Sequence, residues 1–365
     1  MKSILIFRSA ALGDFVMTAP ALQQLRMAFP GRKIVLLTIQ TSEQKTQKLV
    51  ASYAGGSNSM PWVNLAMPHL VDDVVVMGSL SSWSDVKILR SRLAGFSFEA
   101  AVLMLDPCAV WLGRLKKLLL LTLVLPGVPL YGWRGKGSLN GDRERLKTLG
   151  LLRHHVHGPL QFLSELSPPR AYSDADLKFD LRPGNEAKSW AKTWLTQRGL
   201  LGRRLVAIAP GAIQPHKQWP LASFEVLLQR LLQHQADLAV VVMGTPKDRE
   251  LGEVLCAHAP QRVFNAAGES SIEQSAALFA HVHLLVGNDG GAMHLGDAMG
   301  CKVVSIVPGL EYPDSIEPWH SKDLAVRWPV ECAPCYSFTA CPLGHQRCMR
   351  ELPVDLVWTQ CQRVL

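Results

Sequence analysis

A segment in the second half of the chain, PGAIQPHKQWP at residues 210–220, combines a glycine at the end of a strand-like run with a nearby lysine. Pro210 and Gly211 end the run, and because Gly211 has no side chain, a ligand could approach the backbone closely there. Lys217 supplies a mobile cation that could neutralise a diphosphate. A tight turn with a solvated lysine is the alternative, and the segment alone does not decide between the two.

A second segment, HLLVGNDGGAMHLGDAMG, has the pattern of a strand that passes directly into a helix. Its small residues expose backbone N–H groups where the helix begins, and the helix dipole favours an anion at that end. His294 could add a donor toward a phosphate or hydroxyl, or have a structural role. The segment has neither GxGxxG nor GxxxxGK[ST], so it indicates neither an ordinary NAD site nor a P-loop. The residues predicted to bind the anion are Asn288, Asp289, Gly290, Gly291 and Ala292.

Between these segments, VVVMGTPKDRELGEVL ends a strand at Gly244 and then offers the carboxylates of Asp248 and Glu250. Either carboxylate could accept hydrogen bonds from ribose hydroxyls or a base edge. A solvated helix start is the alternative for each. Of the two, Glu250 is included in the predicted binding set.

Near the N-terminus, Gly13 and Asp14 stand where the first strand-like run, SILIF, gives way to a helix. Ligands bind at such junctions because the crevice beyond the carboxyl ends of parallel strands is open. Asp14 could instead only cap the helix by accepting hydrogen bonds from first-turn amides. Taken alone, the stretch favours capping.

The C-terminal run CAPCYSFTACPLGHQRCM places four cysteines close together, with His345 among them. Thiolates at this spacing can hold a tetrahedral zinc ion, and the first pair has the two-residue gap of a zinc knuckle. Reduced structural thiols or disulfides are the alternative. In either case we expect a structural role. The predicted ligands are Cys332, Cys335, Cys341 and Cys348.

Composition bounds the class of protein. The 365 residues suffice for about two domains, and 48% of them are hydrophobic. The net charge of +8 favours anionic partners, but no nucleic-acid-binding motif is present. The N-terminal apolar run is too short for a signal peptide. The longest apolar run of the chain, within 118–133, is too short to span a bilayer. It predicts a buried strand followed by a turn. The basic stretch WLGRLKKLL predicts either a helix with a solvated basic side or contact with an anionic membrane.

Strand-like and helix-like stretches alternate through both halves of the chain, which predicts βαβ units and parallel sheets. The intervening LSPPRAYSDADLKFDLRPGNE is rich in Pro, Asp and Ser and is interpreted as a linker. The predicted fold is α/β, with two Rossmann-like doubly wound domains facing a central cleft. The expected divisions are an N-terminal domain at 1–166, a linker at 167–185, a C-terminal domain at 186–350, and a tail at 351–365 that packs back on the first domain.

Together these segments resemble the ADP-heptose:lipopolysaccharide heptosyltransferases, glycosyltransferase family 9. The matching elements are GDFVMTAPALQQLRMAFP, PGAIQPHKQWP, NDGGAMHLGDAMG followed by KVVSIVPG, and CAPCYSFTACPLGHQRCMREL. The resemblance implies a GT-B fold with an acceptor-binding first domain and a nucleotide-sugar-binding second domain. It further implies transfer of heptose from ADP-heptose to a lipopolysaccharide inner-core acceptor, with inversion and without an essential metal.

The resemblance also implies a catalytic role for one residue. Asp14 falls on the family's proposed general base. Without a metal, protein donors must stabilise the leaving diphosphate, and Lys217 with the amides of Gly290, Gly291 and Ala292 would suit that role. The implied location is cytoplasmic, peripheral at the inner face of the inner membrane. Two departures from the family, Gly290 in place of Ser or Thr and the absence of Gly-Pro-Thr after KVVSIV, leave the donor less certain than the fold. A GT-B transferase or epimerase of another nucleotide sugar, or a non-catalytic sugar-nucleotide-binding protein, are the alternatives.

Overall fold

The first half of the chain folds around a five-stranded parallel sheet. In a computed structural model, which describes residues 2–39, 61–77, 82–104, 111–133 and 153–365, its strands occur in the order β3-β2-β1-β4-β5. Several strands are buried and therefore read as continuous apolar runs, which is why the sequence located them. Their bounds are β1 Lys2–Phe7, β2 Lys33–Ile39, β3 Asp73–Met77, β4 Ser97–Leu103 and β5 Leu130–Tyr131.

Four α-helices accompany this sheet in the described residues: α1 Leu12–Val16, α2 Ala19–Ala28, α3 Trp83–Leu93 and α4 Trp111–Val124. Shorter 3₁₀ segments lie at Pro61–Ala66, His155–His157, Pro159–Glu165 and Asp174–Asp176. The stretch TSEQKTQKLVASY at 41–53, whose pattern predicts a helix, lies outside the described residues. So does Cys108, which we expect to be a small buried apolar residue.

The prediction of a buried strand for the apolar run after Leu118 is wrong. These residues continue α4, which begins at Trp111 and buries Leu121 and Val124 against the sheet. An apolar run of about eight residues fits a buried helix turn as well as a strand, so periodicity alone could not separate them. Within the described ranges, no helix is both long enough and apolar enough to cross a bilayer.

The second half forms another five-stranded parallel sheet, in the order β10-β9-β6-β7-β8. Its strands are β6 Leu205–Ala209, β7 Ala239–Val242, β8 Val263–Asn265, β9 Leu284–Asn288 and β10 Lys302–Ile306. Its helices are α5 Asn185–Gln197, α6 Leu221–His234, α7 Arg249–Ala257, α8 Ile272–Phe279, α9 Gly291–Ala298, α10 Arg347–Arg350 and α11 Val354–Gln362. Short 3₁₀ segments occupy Pro215–Lys217, Pro246–Asp248 and Trp319–Leu324.

The described residues separate into two compact units, one ending at 182 and the other beginning at 183. Most of the predicted linker therefore belongs to the first unit, where Leu177 and Leu181 are buried. The C-terminal segment, expected to pack on the first domain, belongs to the second unit. There α11 packs on α6 and places Val357 and Cys361 in the core, because its apolar face matches that of α6.

Both sheets have the same topology, and each reverses its strand order at its first strand. In the first unit the chain moves outward from β1 through β2 and β3 before returning to pair β4 with β1. In the second unit it moves from β6 through β7 and β8 before β9 pairs with β6. Such reversals leave a crevice at the carboxyl ends of the strands, where ligands bind in open α/β sheets. The two βα junctions predicted to bind an anion both lie at the reversal of the second sheet.

Candidate functional site

The side chain of Asn288 connects the two predicted anion-binding junctions of the second unit. Its Nδ2 donates to the carbonyl of Pro210 at 2.7 Å and, more weakly, to that of Gly211 at 3.4 Å. Its Oδ1 accepts from the backbone N–H of Trp219 at 2.9 Å. Asn288 is buried out of reach of water, so these bonds satisfy polar groups that would otherwise have no partner. The amide thus fixes both ends of the 210–219 loop to the end of β9.

The Trp219 indole anchors the far end of this loop in the core of the second unit. The ring packs edge-on against Phe224, with centroids 4.9 Å apart, and its Nε1 donates to the carbonyl of Leu352 at 2.9 Å. Burying the ring while its N–H finds an acceptor is the usual condition for an internal tryptophan. The loop between Pro210 and Trp219 is therefore held at both ends.

Lys217 and Asp289 form an ion pair at the end of β9. The Nζ of Lys217 lies 3.1 Å from Oδ2 of Asp289, and both side chains are largely buried. The backbone N–H of Asp289 donates to the carbonyl of Ile306, which holds its position beside β10. The pair brings together two residues that were predicted for the site from sequence. They lie 72 positions apart along the chain. It sets a cation and a carboxylate beside the beginning of α9.

The N-terminus of α9 supplies backbone donors next to this pair. Gly290 is the N-cap in an extended conformation, and Gly291 and Ala292 form the first turn. The N–H groups of the first turn have no carbonyl within the helix to donate to, and they point outward along the helix axis. The nearest atom to a Cβ added at Gly290 would be 3.9 Å away, so the backbone there has room for a Cβ. The departure from the family's Ser or Thr is therefore not imposed by sterics.

Gly211 is required by a close carboxylate. A Cβ at this position would stand 2.2 Å from Oδ1 of Asp248. Oδ2 of the same carboxylate accepts from the backbone N–H and the hydroxyl of Thr245, which fixes it at the end of β7. Glu250 is exposed in the first turn of α7. Of the two acidic residues weighed from sequence, Asp248 is the one placed against the 210–219 loop.

Two histidines lie close to these junctions in the sequence and are buried. Burial lowers the pKa of the His216 imidazole, and the neighbouring Lys217 ammonium lowers it further, against an opposing hydrogen bond with the Ser337 backbone. His216 is therefore neutral near pH 7. His294 lies in the first turns of α9 and is 7% exposed.

In the first unit, Asp14 lies in the first turn of α1 at the reversal of that sheet. The N-cap position is Ala11, and no side chain caps the helix, so Asp14 is not the N-cap residue. The Asp14 carbonyl accepts from the Thr18 hydroxyl at 2.7 Å and from Nη2 of Arg8 at 3.3 Å. Gly13 precedes it in the same turn and its carbonyl accepts from Met17. These bonds fix the backbone from which the Asp14 carboxylate projects.

Arg8, directly after β1, is a positioning residue that was not among the residues predicted for the site. Its guanidinium is buried and donates to the Met104 carbonyl after β4 and to the Thr18 hydroxyl, each at 3.1 Å. A charged residue at the end of a buried strand is uncommon, and that was the available signal. Arg8 joins the ends of β1 and β4 as Asn288 joins those of β6 and β9.

Asp297 was also missed, because nothing in its sequence context distinguished it from a solvated helix residue. It is 4% exposed and accepts from the Ser321 hydroxyl and from both the backbone and the ring of His320. It fastens the segment Trp319–Leu324 to the end of α9. We assign it a structural role.

The zinc interpretation of the C-terminal cysteines is not supported by their placement. Across the described parts of the chain, no three His, Cys, Asp or Glu side chains gather where they could hold one metal ion. Partial burial raises the pKa of Cys341, but amides of residues 343–346 hydrogen-bond its sulfur and lower the pKa overall. Burial raises the pKa of Cys348, and the nearby thiols of Cys332, Cys335 and Cys341 raise it further, against the hydrogen bond that its sulfur accepts from Gly309.

The cysteine segment instead lies along the loop that follows β10. The N–H groups of Cys335 and Tyr336 donate to the carbonyls of Gly309 and Leu310, and Tyr336 contacts the ring of Tyr312. With the bond between His216 and Ser337, these contacts brace the loops at the carboxyl edge of the second sheet.

The chain matches known proteins along most of its length. Residues 115–344 match the profile of "Glycosyltransferase family 9 (heptosyltransferase)". Over 130 residues, 34% of the chain, it is 34% identical to lipopolysaccharide heptosyltransferase 2 of Salmonella typhimurium and spans 36% of that protein's length.

Two solved structures share the fold. E. coli ADP-heptose lps heptosyltransferase II is 19% identical, with a TM-score of 0.61 over 100% of this chain and 98% of that one. An E. coli heptosyltransferase with ADP-2-deoxy-2-fluoro heptose is 16% identical, with a TM-score of 0.62 over 99% of both chains.

Replacing Asn288 tests whether its amide holds the two junctions together. Asn288→Ala leaves the Trp219 N–H and the Pro210 carbonyl without their partner, so the free energy of unfolding should fall by about 1–3 kcal/mol. Urea denaturation of the full chain measures the change. Asn185→Ala, at the exposed start of α5, is the matched control and should change stability by less than about 0.5 kcal/mol. Equal stability of the two variants would refute the bracing role.

Proposed function

Since the chain belongs to glycosyltransferase family 9, the heptosyltransferase family, and has the α/β GT-B fold of the solved heptosyltransferases, we propose that it transfers heptose from ADP-heptose to a lipopolysaccharide inner-core acceptor. The transfer inverts the anomeric centre. The observation that carries the proposal is the Lys217–Asp289 pair beside the N-terminus of α9, at the strand reversal of the second sheet. A sugar nucleotide carries both an anionic diphosphate, which suits the cation and the helix N-terminus, and hydroxyls, which suit the carboxylate.

The second unit is assigned to the donor. The ammonium of Lys217 and the first-turn amides of Gly290, Gly291 and Ala292 would face the diphosphate, whose negative charge grows as the glycosidic bond breaks. Asp289 would keep Lys217 oriented and accept hydrogen bonds from sugar hydroxyls. Because fixed protein donors would stabilise the leaving group, the proposed reaction needs no divalent metal.

Other donor contacts follow from the loops around this pair. The loop beginning at Pro210 and Gly211 would border the diphosphate, with His294 adding a donor from α9. A carboxylate is needed for the ribose hydroxyls. Glu250 was the residue expected from sequence, and Asp248 is favoured by its contact with Gly211.

The first unit is assigned to the acceptor, with Asp14 as the general base and Gly13 beside it. As the acceptor oxygen bonds to the anomeric carbon, the bond from that carbon to the diphosphate breaks, and its electron pair leaves with ADP. The hydroxyl proton passes to the Asp14 carboxylate. The bonds from Arg8 and Thr18 to the Asp14 carbonyl support this role, because they fix the backbone that carries the base.

A lipopolysaccharide acceptor is anchored in a membrane. The enzyme would then act on the cytoplasmic face of the inner membrane, in peripheral contact with lipid. A transferase or epimerase of another nucleotide sugar remains the competing function, and Gly290 in place of a hydroxyl residue is the observation that favours it.

Replacing Asp14 by Asn removes the base while keeping its size. Transfer should fall by about 100-fold or more, while the affinity for ADP should stay within about twofold because the donor is assigned to the other unit. Radiolabelled heptose transfer and calorimetric titration with ADP provide the two measurements. Asp73→Asn, which removes a half-exposed carboxylate paired with Lys33 at the opposite edge of the same sheet, is the control. Normal turnover of Asp14→Asn would eliminate the general-base role.

Replacing Lys217 by Ala tests the diphosphate role. The affinity for ADP should fall by about tenfold or more, because one charge-assisted hydrogen bond to the diphosphate is lost, whereas the affinity for adenosine should not change. Lys247→Ala, an exposed lysine at the same edge of the sheet, should bind ADP normally. If Lys217→Ala bound ADP as tightly as Lys247→Ala, the diphosphate would not contact Lys217.

A further inference from the structure

Helix α4 presents a row of leucines to solvent. Leu112, Leu115, Leu119 and Leu123 are 54%, 40%, 54% and 47% exposed. Their spacing of three and four residues places them along one face of the helix. The opposite face packs into the core of the first unit through Leu121 and Val124. Scattered exposed leucines are ordinary, but an aligned row on one helix is a candidate contact surface.

Basic side chains accompany this row on α4 and on the neighbouring helix α3. Lys116 is exposed on α4 itself. Helix α3 packs beside α4 on the same core of the first unit and adds the exposed Lys87 and Arg90, together with Trp83, which is 70% exposed. The two helices carry three Lys or Arg residues each, against a single acidic residue, Asp85. The surface formed by α3 and α4 is thus both apolar and strongly cationic.

We propose that this α3–α4 surface docks on an anionic phospholipid bilayer, with the leucine row entering the interface and the basic side chains contacting lipid phosphates. Interfacial helices combine such an apolar face with lysine and arginine beside it, and tryptophan is favoured at headgroup depth. Helix α4 has 14 residues, about 21 Å, which is too short to cross the hydrocarbon core but suits a helix lying in its plane.

Charge complementarity favours lipid over a second copy of the chain. A symmetric dimer through this surface would bring the same cationic groups together, and like charges repel. Anionic headgroups neutralise them, and each basic residue near such a surface contributes about a fivefold increase in binding. The inference deepens the proposed function and rests on it for its purpose, because docking would bring the first unit to a lipid-anchored acceptor.

Vesicle flotation of the full chain tests the proposal. The protein should float with vesicles that contain 30% phosphatidylglycerol and stay at the bottom with pure phosphatidylcholine, a mixture we choose at roughly the charge of an anionic leaflet. Lys87→Ala with Lys116→Ala should weaken binding by about 25-fold, from the fivefold effect of each charge. Leu119→Gln with Leu123→Gln should weaken it by about tenfold or more, since apolar area no longer enters the interface.

The control removes the same kind of apolar surface elsewhere. Val226→Gln with Leu356→Gln, at comparably exposed positions of α6 and α11 in the second unit, should float like the unmodified chain. Equal flotation of the two glutamine pairs would overturn the proposal. So would a dimer in solution that dissociates only in Leu119→Gln with Leu123→Gln and shows no binding to vesicles.

A soluble assay separates this proposal from the proposed function. With ADP-heptose and a water-soluble acceptor fragment, the leucine variant should transfer heptose at the normal rate, because its residues lie outside the donor and acceptor assignments. Loss of flotation with normal soluble transfer supports docking. Normal flotation without transfer in the unmodified chain would contradict the transferase assignment and leave docking supported.

Discussion

The arrangement of the candidate anion-binding site depends on a single buried amide. Asn288 ends β9 and bonds across the strand reversal to the Pro210 carbonyl and the Trp219 N–H, so that one side chain fixes the start and the end of the lysine-bearing loop. Without it, two polar backbone groups would be buried without partners, and the loop that carries Lys217 would be anchored only at its far end, by the Trp219 indole. The ion pair between Lys217 and Asp289 follows from this bond, because it needs the loop at a fixed distance from the end of β9.

The two units apply the same solution to different tasks. Each sheet reverses its strand order at its first strand, and each reversal is crossed by one buried polar side chain, Arg8 in the first unit and Asn288 in the second. In the first unit the bridge also fixes the carbonyl of Asp14, a candidate base. In the second it fixes a cation beside a helix N-terminus. A division of labour between proton transfer and diphosphate stabilisation is therefore consistent with the placement of charge in each unit.

Most of the strands could be located from the sequence, because several of them are buried and appear as short, continuous apolar runs. The strand-to-helix junctions could be placed from the glycines and from the residues at the ends of β6 and β9. The sequence could not distinguish strand from helix in the run after Leu118, because an apolar stretch of that length satisfies both. Partners distant along the chain were also inaccessible: neither the contact of Asp248 with Gly211 nor the bridge made by Arg8 follows from local spacing.

The most direct test of the central claim is an assay with a panel of sugar nucleotides in buffer that contains EDTA. The full chain is incubated with ADP-heptose, UDP-glucose or GDP-mannose and an inner-core acceptor fragment, and the released nucleotide and the anomeric configuration of the product are measured. We expect ADP to be released from ADP-heptose only when the acceptor is present, and the product to have the inverted anomeric configuration. Turnover of a different sugar nucleotide while ADP-heptose stays inert, or a product that retains its configuration, would contradict it.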